Sequence, residues 1–408
     1  MSTQAQPLAI RRRIVLHLGG YDITEPAAQH RLFTRELARF ERTWGVQATA
    51  GPAPDPDAPI ARWSVAAAGT GWHCETSYRV LRWDDIVSRE LARGHPGRLM
   101  RAALAFADFV GTGTVFRYLR ISWPFTLYFC FPFASLALFG AAGAAAGLLI
   151  NGWTGLLTGT GLFTALYLGP GQWWRVPQAL DYWIFSRDHV RARRPETTRR
   201  MEEFTAALLE AANDPEADEV LLVGHSFGAT LALEVLAQAL ARQPGLGTNR
   251  TAVCLLTVGA AIPQLALHPR GAGLRDCAAT VAASAAVDWA EYQACDDPIS
   301  FYKVDPVALK RRRDYPAGSR PMVRRVHVRD MLSAATYHRF RHRWVRLHYQ
   351  FLMANDVRAR YDFYMFACGP APFRLLVAAH GGPMDFFSAK RQPHDRSGRG
   401  SRLLIRLT

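Results

Sequence analysis

Val223-Gly224-His225-Ser226-Phe227-Gly228 joins two segments of opposite character. Before it lies an apolar run, Val220 to Val223, short enough for a buried strand. After it, Ala229 to Leu240 is rich in alanine and leucine, strong helix formers. The chain reads as strand, sharp turn and helix with Ser226 at the apex. A side chain lifted above a sheet edge in this way needs small neighbours, and Gly224 and Gly228 let the strand and helix backbones pass without a Cβ.

Composition sets the broad class. The chain has 408 residues, 49% of them hydrophobic, and the average conceals one extreme region. From Ile121 to Trp174, 54 residues, there is no Asp, Glu, Lys, Arg or His. A hydrocarbon core of about 30 Å needs about 20 apolar residues per helix, so two passes are expected, near Trp123 to Ile150 and Thr154 to Leu168, the second short for a full span and thus compatible also with a re-entrant or tilted pair. Asn151-Gly152-Trp153 is the expected hairpin tip, and the run from Gly140 to Gly147, all glycine and alanine, allows two helix backbones to approach closely. Arginines 98, 101, 117 and 120 precede the block, and 175, 187, 191, 193 and 194 follow it. The positive-inside bias therefore puts both flanks, and the body of the protein, on the cytoplasmic side of a two-pass membrane protein. Met1 to Pro7 has no charged-then-apolar signal layout.

The net charge is +15, almost all of it from arginine. No helix-turn-helix, zinc-finger or aromatic RNA-binding signature accompanies it, so attraction to an anionic leaflet is the expected use and nucleic acid is not an expected partner. Cysteines 74, 130, 254, 277, 295 and 368 have no paired close spacing and no metal-ligand pattern. They read as free thiols in a reducing compartment, with no metal or organic cofactor implied.

Outside the apolar block, strands are expected at Ile14 to Leu18, Ala61 to Ala68, Tyr78 to Trp83, Val220 to Val223, Val253 to Val258, Trp289 to Ala294 and Val323 to Val328. Helices are expected at Ala27 to Thr43, Asp84 to Ala92 and Thr197 to Asn213, with an interfacial helix over Gly97 to Leu119. This alternation predicts an α/β fold, a mostly parallel sheet with helices on both faces interrupted by the membrane hairpin. The expected organisation is an N-terminal part over 1–97, the helical insertion over 98–175, a C-terminal part over 176–389 and a mobile basic tail over 390–408.

A serine hydroxyl is a weak nucleophile at neutral pH and needs a base oriented by a carboxylate. If the order is serine, acid, histidine, both partners lie downstream of Ser226. Asp297, ahead of a proline at the end of a strand-like run, is the favoured acid; Asp296 is its rival, with Asp288 and Asp305 behind. His348, at an expected loop-to-helix boundary, is the favoured base. His380 is the second boundary histidine, His338 and His342 sit among arginines, and His327 falls inside an expected strand. For a developing oxyanion the candidate donors are the backbone N–H of Phe227 and that of Gly20 or Tyr21, in the turn His17-Leu18-Gly19-Gly20-Tyr21.

His17-x-Gly19-Gly20 after the first strand, Gly224-His225-Ser226-Phe227-Gly228, Asp297-Pro298 and the late His348 together resemble the α/β-hydrolase superfamily. The resemblance implies a serine hydrolase of the esterase or lipase kind, working through an acyl-enzyme on Ser226. A lipid or acylated metabolite is the implied substrate, since a membrane anchor concentrates amphiphiles. Thioesterase or peptidase chemistry would use the same residues, and the alternative class is an inactive hydrolase-like membrane scaffold. The departure is the apolar block, placed where superfamily members more often carry a soluble lid.

Overall fold

The computed structural model describes residues 9–387 apart from Asn151, Asn249 and Ala317. The expected basic tail, Met1 to Pro7 and Asn151 of the expected hairpin tip lie outside the described residues. Strands β1 (Arg12–Leu18), β2 (Gln47–Ala50), β3 (Ile60–Gly69), β4 (Trp72–Leu81), β5 (Glu219–His225), β6 (Ala252–Val258), β7 (Val287–Ala294) and β8 (Met322–Val326) form one sheet in the order β2-β3-β4-β1-β5-β6-β7-β8. From β4 through β8 every neighbouring pair is parallel, whereas β2, β3 and β4 pair antiparallel. The sheet is thus mixed and mostly parallel.

Burial explains why some strands were legible and others were not. All seven residues of β5 are buried, as in a strand covered on both faces, and its sequence is a continuous apolar run flanked by a buried acid and histidine. Along β3 buried and open residues alternate, as for a strand with one face to solvent. β4 begins six residues earlier than expected: its first half alternates in the hairpin with β3, and only its second half is continuously buried. β2 is four residues of edge strand with too little apolar content to be seen.

Helix α1 (Pro26–Trp44) follows β1. Between β4 and β5 come α2 (Asp84–Leu91), α3 (His95–Gly111), α4 (Thr114–Ile121), α5 (Trp123–Leu149), α6 (Gly152–Leu168), the single turn α7 (Pro170–Trp173), α8 (Val176–Val190) and α9 (Pro195–Ala212). Then α10 (Phe227–Arg242), α11 (Ile262–Ala266) and α12 (Ala272–Ala283) follow their strands. Helices cover both faces. Ile14, Leu16 and Leu18 of β1 pack with apolar residues of α8, α9, α10 and α12, while Val15 packs with α1 and the late helices Phe363–Cys368 and Phe373–Ala378.

One expectation about the helices is corrected, and one helix had not been expected at all. The single interfacial helix over Gly97 to Leu119 is two helices, α3 and α4, that meet at 65°. Gly113, at φ 73°, breaks them, because the left-handed backbone that glycine adopts freely cannot continue a right-handed helix. α8 had no periodic signal because it is buried nearly all round, Tyr182, Trp183 and Phe185 included, and even its acids are covered. Asp181 meets buried Arg98 of α3 at 2.8 Å, and Asp188 meets buried Arg194 at 3.4 Å. Burial pushes the Asp181 carboxyl up to about 6, against the pull of Arg98.

α5, 27 residues, is the one described helix long and apolar enough by itself to cross a bilayer. α6 has 17 residues, about 25 Å at 1.5 Å per residue, and is shorter than a full span. The two run antiparallel with their backbones in contact. A Cβ on Gly143 would fall 2.6 Å from the Gly159 carbonyl oxygen, and one on Gly147 would fall 2.9 Å from that of Gly155. Glycine is required there because any side chain would wedge the helices apart. Large apolar residues point outward along this region, among them Met100, Phe116, Leu127, Leu138, Leu149, Trp153 and Trp173. Gly159→Leu should therefore lower the thermal unfolding midpoint of the detergent-solubilised protein by several degrees. Gly161→Leu, where a Cβ meets nothing within 4 Å, should leave it unchanged. Equal effects of the two would show that close backbone approach does not hold the pair together.

Candidate active site

The C-terminal ends of the parallel strands bring the candidate residues together. β5 ends in His225, and Ser226 sits between it and α10 with φ 55° and ψ −123°. A non-glycine residue there costs about 1–3 kcal/mol and persists only where its surroundings impose it. The surroundings are explicit. Ser226 N–H donates to Val258 C=O at 3.2 Å, and Ser226 C=O accepts from Ala229 N–H at 3.2 Å and from Ala261 N–H at 3.1 Å. A Cβ on Gly224 would lie 2.5 Å from the Ala229 Cα, and one on Gly228 would overlap the carbonyl oxygens of Leu18 and Gly19. Both glycines of the pentapeptide are thus sterically obligatory, as their spacing in the sequence suggested.

β1 lies beside β5, so its exit loop reaches the same point. A Cβ on Gly20 would fall 3.1 Å from the Cβ of Ser226 and 3.6 Å from its Oγ. Gly20 therefore abuts the serine, and Phe227 opens the helix behind it. The Tyr21 ring turns into an aromatic cluster with Trp83, Tyr182 and Phe185, which anchors the loop; burial raises its phenol well above the usual tyrosine range.

Asp297 follows β7, and its Oδ2 lies 2.7 Å from His348 Nδ1 with both residues buried. A carboxylate only accepts, so Nδ1 carries the proton and Nε2 presents its lone pair. Nε2 has no hydrogen-bond partner among the described residues. Asp297 Oδ1 is held by the N–H of Ile299 at 3.1 Å. Asp296 points elsewhere: its Oδ2 accepts from Val328 N–H at 2.8 Å and its Oδ1 from the Tyr337 hydroxyl at 3.3 Å. Asp305 is occupied by the N–H groups of Val307 and Ala308, and Asp288 lies within β7. His338, His342 and His380 are exposed. His327 stands just past the end of β8, exposed, and not on a sheet face as expected; the strand stops at Val326. His348 ends a short helix, Trp344–His348, and a 3₁₀ turn, Tyr349–Leu352, follows in place of the expected longer helix.

Two positions were not singled out for the parts they play. His225 was read only as a residue of the elbow, yet its Nε2 donates to the His348 carbonyl at 3.1 Å and the two rings lie 4.5 Å apart. Burial, then the neighbouring His348, holds His225 well below the usual histidine range, so it stays neutral and positions His348 without competing for its proton. Gly259, just after β6, has φ 52°, and a Cβ there would lie 3.0 Å from His348 Cε1 and 3.3 Å from Asp297 Oδ2. The available signal was a glycine directly after the apolar run Val253 to Val258. Below the loop, burial lowers His17 to about 4, and its Nδ1 pairs with the Tyr78 hydroxyl at 3.0 Å.

The site adjoins the apolar insertion. Phe125 of α5 and Phe301, four residues after Asp297, have ring centroids 4.0 Å apart. Tyr128 of α5 packs on Tyr182 and Trp183, and Tyr182 packs on Phe227 beside the serine. We find no protein-family model, curated protein or solved structure that matches the chain.

Gly259→Ala combines a left-handed backbone with a collision against the His348–Asp297 pair. Ser226 should then react with an organophosphorus probe at least about tenfold more slowly. Gly71→Ala, also left-handed at φ 78° but with nothing within 4 Å, should react as the unmodified protein does. Matching rates for the two variants would mean that the close approach at Gly259 does not matter to Ser226.

Proposed function

We propose that the chain is a membrane-anchored serine hydrolase of the α/β-hydrolase type that cleaves a carboxylic ester, of a lipid or another acylated amphiphile. The observation that carries this reading is the strained backbone of Ser226 between β5 and α10, with the buried His348–Asp297 pair at the same end of the sheet. Packing alone does not call for a half-buried serine in that conformation, since glycine would fit it without strain.

In this reading His348 Nε2 takes the proton of Ser226 Oγ as the oxygen attacks the ester carbonyl carbon. Asp297 stabilises the imidazolium so formed. The carbonyl oxygen, now negative, is met by the N–H groups of Phe227 and of Gly20 or Tyr21, each worth about 3 kcal/mol by precedent. The C–O bond to the alcohol breaks, the leaving oxygen takes the proton from His348, and water then releases the acid by the same steps. The same residues would serve a thioester or an amide.

Membrane attachment is supported by α5, by the outward apolar residues from α3 to α7 and by the arginines on both sides of the block. The proposed topology is a hairpin of α5 and the shorter α6, with the sheet on the cytoplasmic side. Contact between α5 and the turn after Asp297 supports a route from the bilayer to the serine, which favours lipid over soluble ester.

Labelling with a fluorophosphonate tests the chemistry. The purified protein should label on Ser226, Ser226→Ala should not label, and Asp297→Asn and His348→Ala should label slower by two or more orders of magnitude. A protein that fails to label, or an alanine variant that still labels, would favour the second reading, an inactive membrane scaffold. That reading draws on the lack of a hydrogen bond between His348 Nε2 and any described residue, Ser226 included.

The anchor is tested separately. Membranes washed in concentrated salt and then alkaline carbonate should retain the full-length protein, because screening releases only charge-held proteins. Recovery of the chain in the carbonate supernatant would make α5 and α6 a soluble hairpin.

A further inference from the structure

We propose that Cys295, Asp296 and His327 form a binding site for a borderline divalent cation, zinc foremost, at the rim of the sheet beside Asp297. The Cys295 thiol, an Asp296 carboxylate oxygen and a His327 ring nitrogen all lie within 4.8 Å of one another, with Sγ 2.8 Å from Nδ1. Their meeting is fixed by backbone register. Ala294, the last residue of β7, pairs with Val326, the last of β8, and Cys295 and His327 are the first residue past each strand. The sequence hides this group because its ligands are 32 positions apart and belong to no close-spaced motif.

The donor set selects the ion. One sulfur, one imidazole and one carboxylate match the mixed ligands of zinc with a fourth position left for water, whereas magnesium and calcium take oxygen alone. Tetrahedral coordination would set sulfur and nitrogen about 3.5 Å apart, from bonds of about 2.3 and 2.05 Å. Cys295 and His327 are exposed, so a small side-chain rotation reaches that distance. Asp296 is already aimed: Val328 N–H and the Tyr337 hydroxyl hold its two oxygens, the outer support that metal-bound carboxylates use. An ion there ties the exit of β7 to that of β8 and steadies the turn that presents Asp297. This site does not depend on the proposed hydrolysis.

The test uses the full-length protein in detergent, stripped with a chelator and titrated with cobalt(II) and then zinc. Cobalt should give a thiolate-to-metal charge-transfer band that zinc abolishes, and Ser226→Ala should behave identically. The band should vanish in Cys295→Ser. Zinc affinity should fall about 10-fold in Tyr337→Phe, within the range for a lost outer-shell partner, and by more than that in His327→Ala, which removes a ligand. Should a variant be unstable, alkylation of the intact protein decides: zinc should shield Cys295 from iodoacetamide. Absence of the band, its survival in Cys295→Ser, or alkylation of Cys295 unaffected by zinc would each overturn the site.

Discussion

The backbone of Ser226 is the constraint around which this end of the molecule is organised. A serine at φ 55° has no favourable local reason to be there, so strand, helix and neighbouring loops must hold it from outside. They can do so only by coming closer than side chains permit. Gly224 and Gly228 admit α10 and the β1 loop, Gly20 admits the serine to that loop, and Gly259 admits the imidazole and carboxylate. The sheet order makes this possible: β1 and β6 flank β5, so their exits arrive on either side of the turn. A different strand order with the same local turn would leave the serine strained and unsupported.

Around that turn, burial keeps two histidines neutral while a third pairs with an acid. His17 and His225 are fully enclosed, and each spends one ring nitrogen on a neutral partner, Tyr78 and the His348 carbonyl. His348 alone has a carboxylate on its ring. Three histidines close in space are thereby given different chemistry by their surroundings, as pairs of like groups are in many catalytic sites. Tyr349 adds a mechanical link, its hydroxyl donating to Asp22 at 2.8 Å, so the histidine turn and the β1 loop are tied across the site.

What was legible in the sequence follows from range. The elbow could be read because strand, turn and helix are contiguous, and β5 and β6 because burial on both faces writes a nearly unbroken apolar run, whereas β7 buries Glu291 and Gln293 and β8 carries Arg324 and Arg325. The apolar insertion announced itself by the absence of charge. β2, the first half of β4 and α8 left weaker marks, since an edge strand is half polar and a helix buried all round has no period. At the site, the pairing of Asp297 with His348, 51 positions apart, was chosen on local grounds among several acids and histidines. Its geometric reasons, the turn held by Ile299 and the clearance at Gly259, are properties of the assembled sheet and have no linear signature.

The place of the insertion bears on what the site meets. α2 to α9 all fall between β4 and β5, and because these parallel strands lie on opposite sides of β1, the chain must pass β1 over a face of the sheet to connect them. That crossing brings α4, α5 and α8 over the strand ends. There, Tyr118 and Tyr182 hydrogen-bond Gln264 of α11, the helix that follows Gly259. The charges beneath the apolar helices are paired with one another, Arg98 with Asp181 and Arg191 with Asp108, so the junction is bonded by ion pairs as well as by aromatic packing. For α3 and α8 to part, a buried pair, Arg98–Asp181, and a half-buried one, Arg191–Asp108, would have to open, so this junction is not a loosely hinged lid. Under the proposed function, the hollow beside Gly20 and His225, lined by His17, Trp83, Tyr349 and Phe363, is the opening next to the serine turn that a substrate would use, and the Phe125–Phe301 contact closes the neighbouring side by packing.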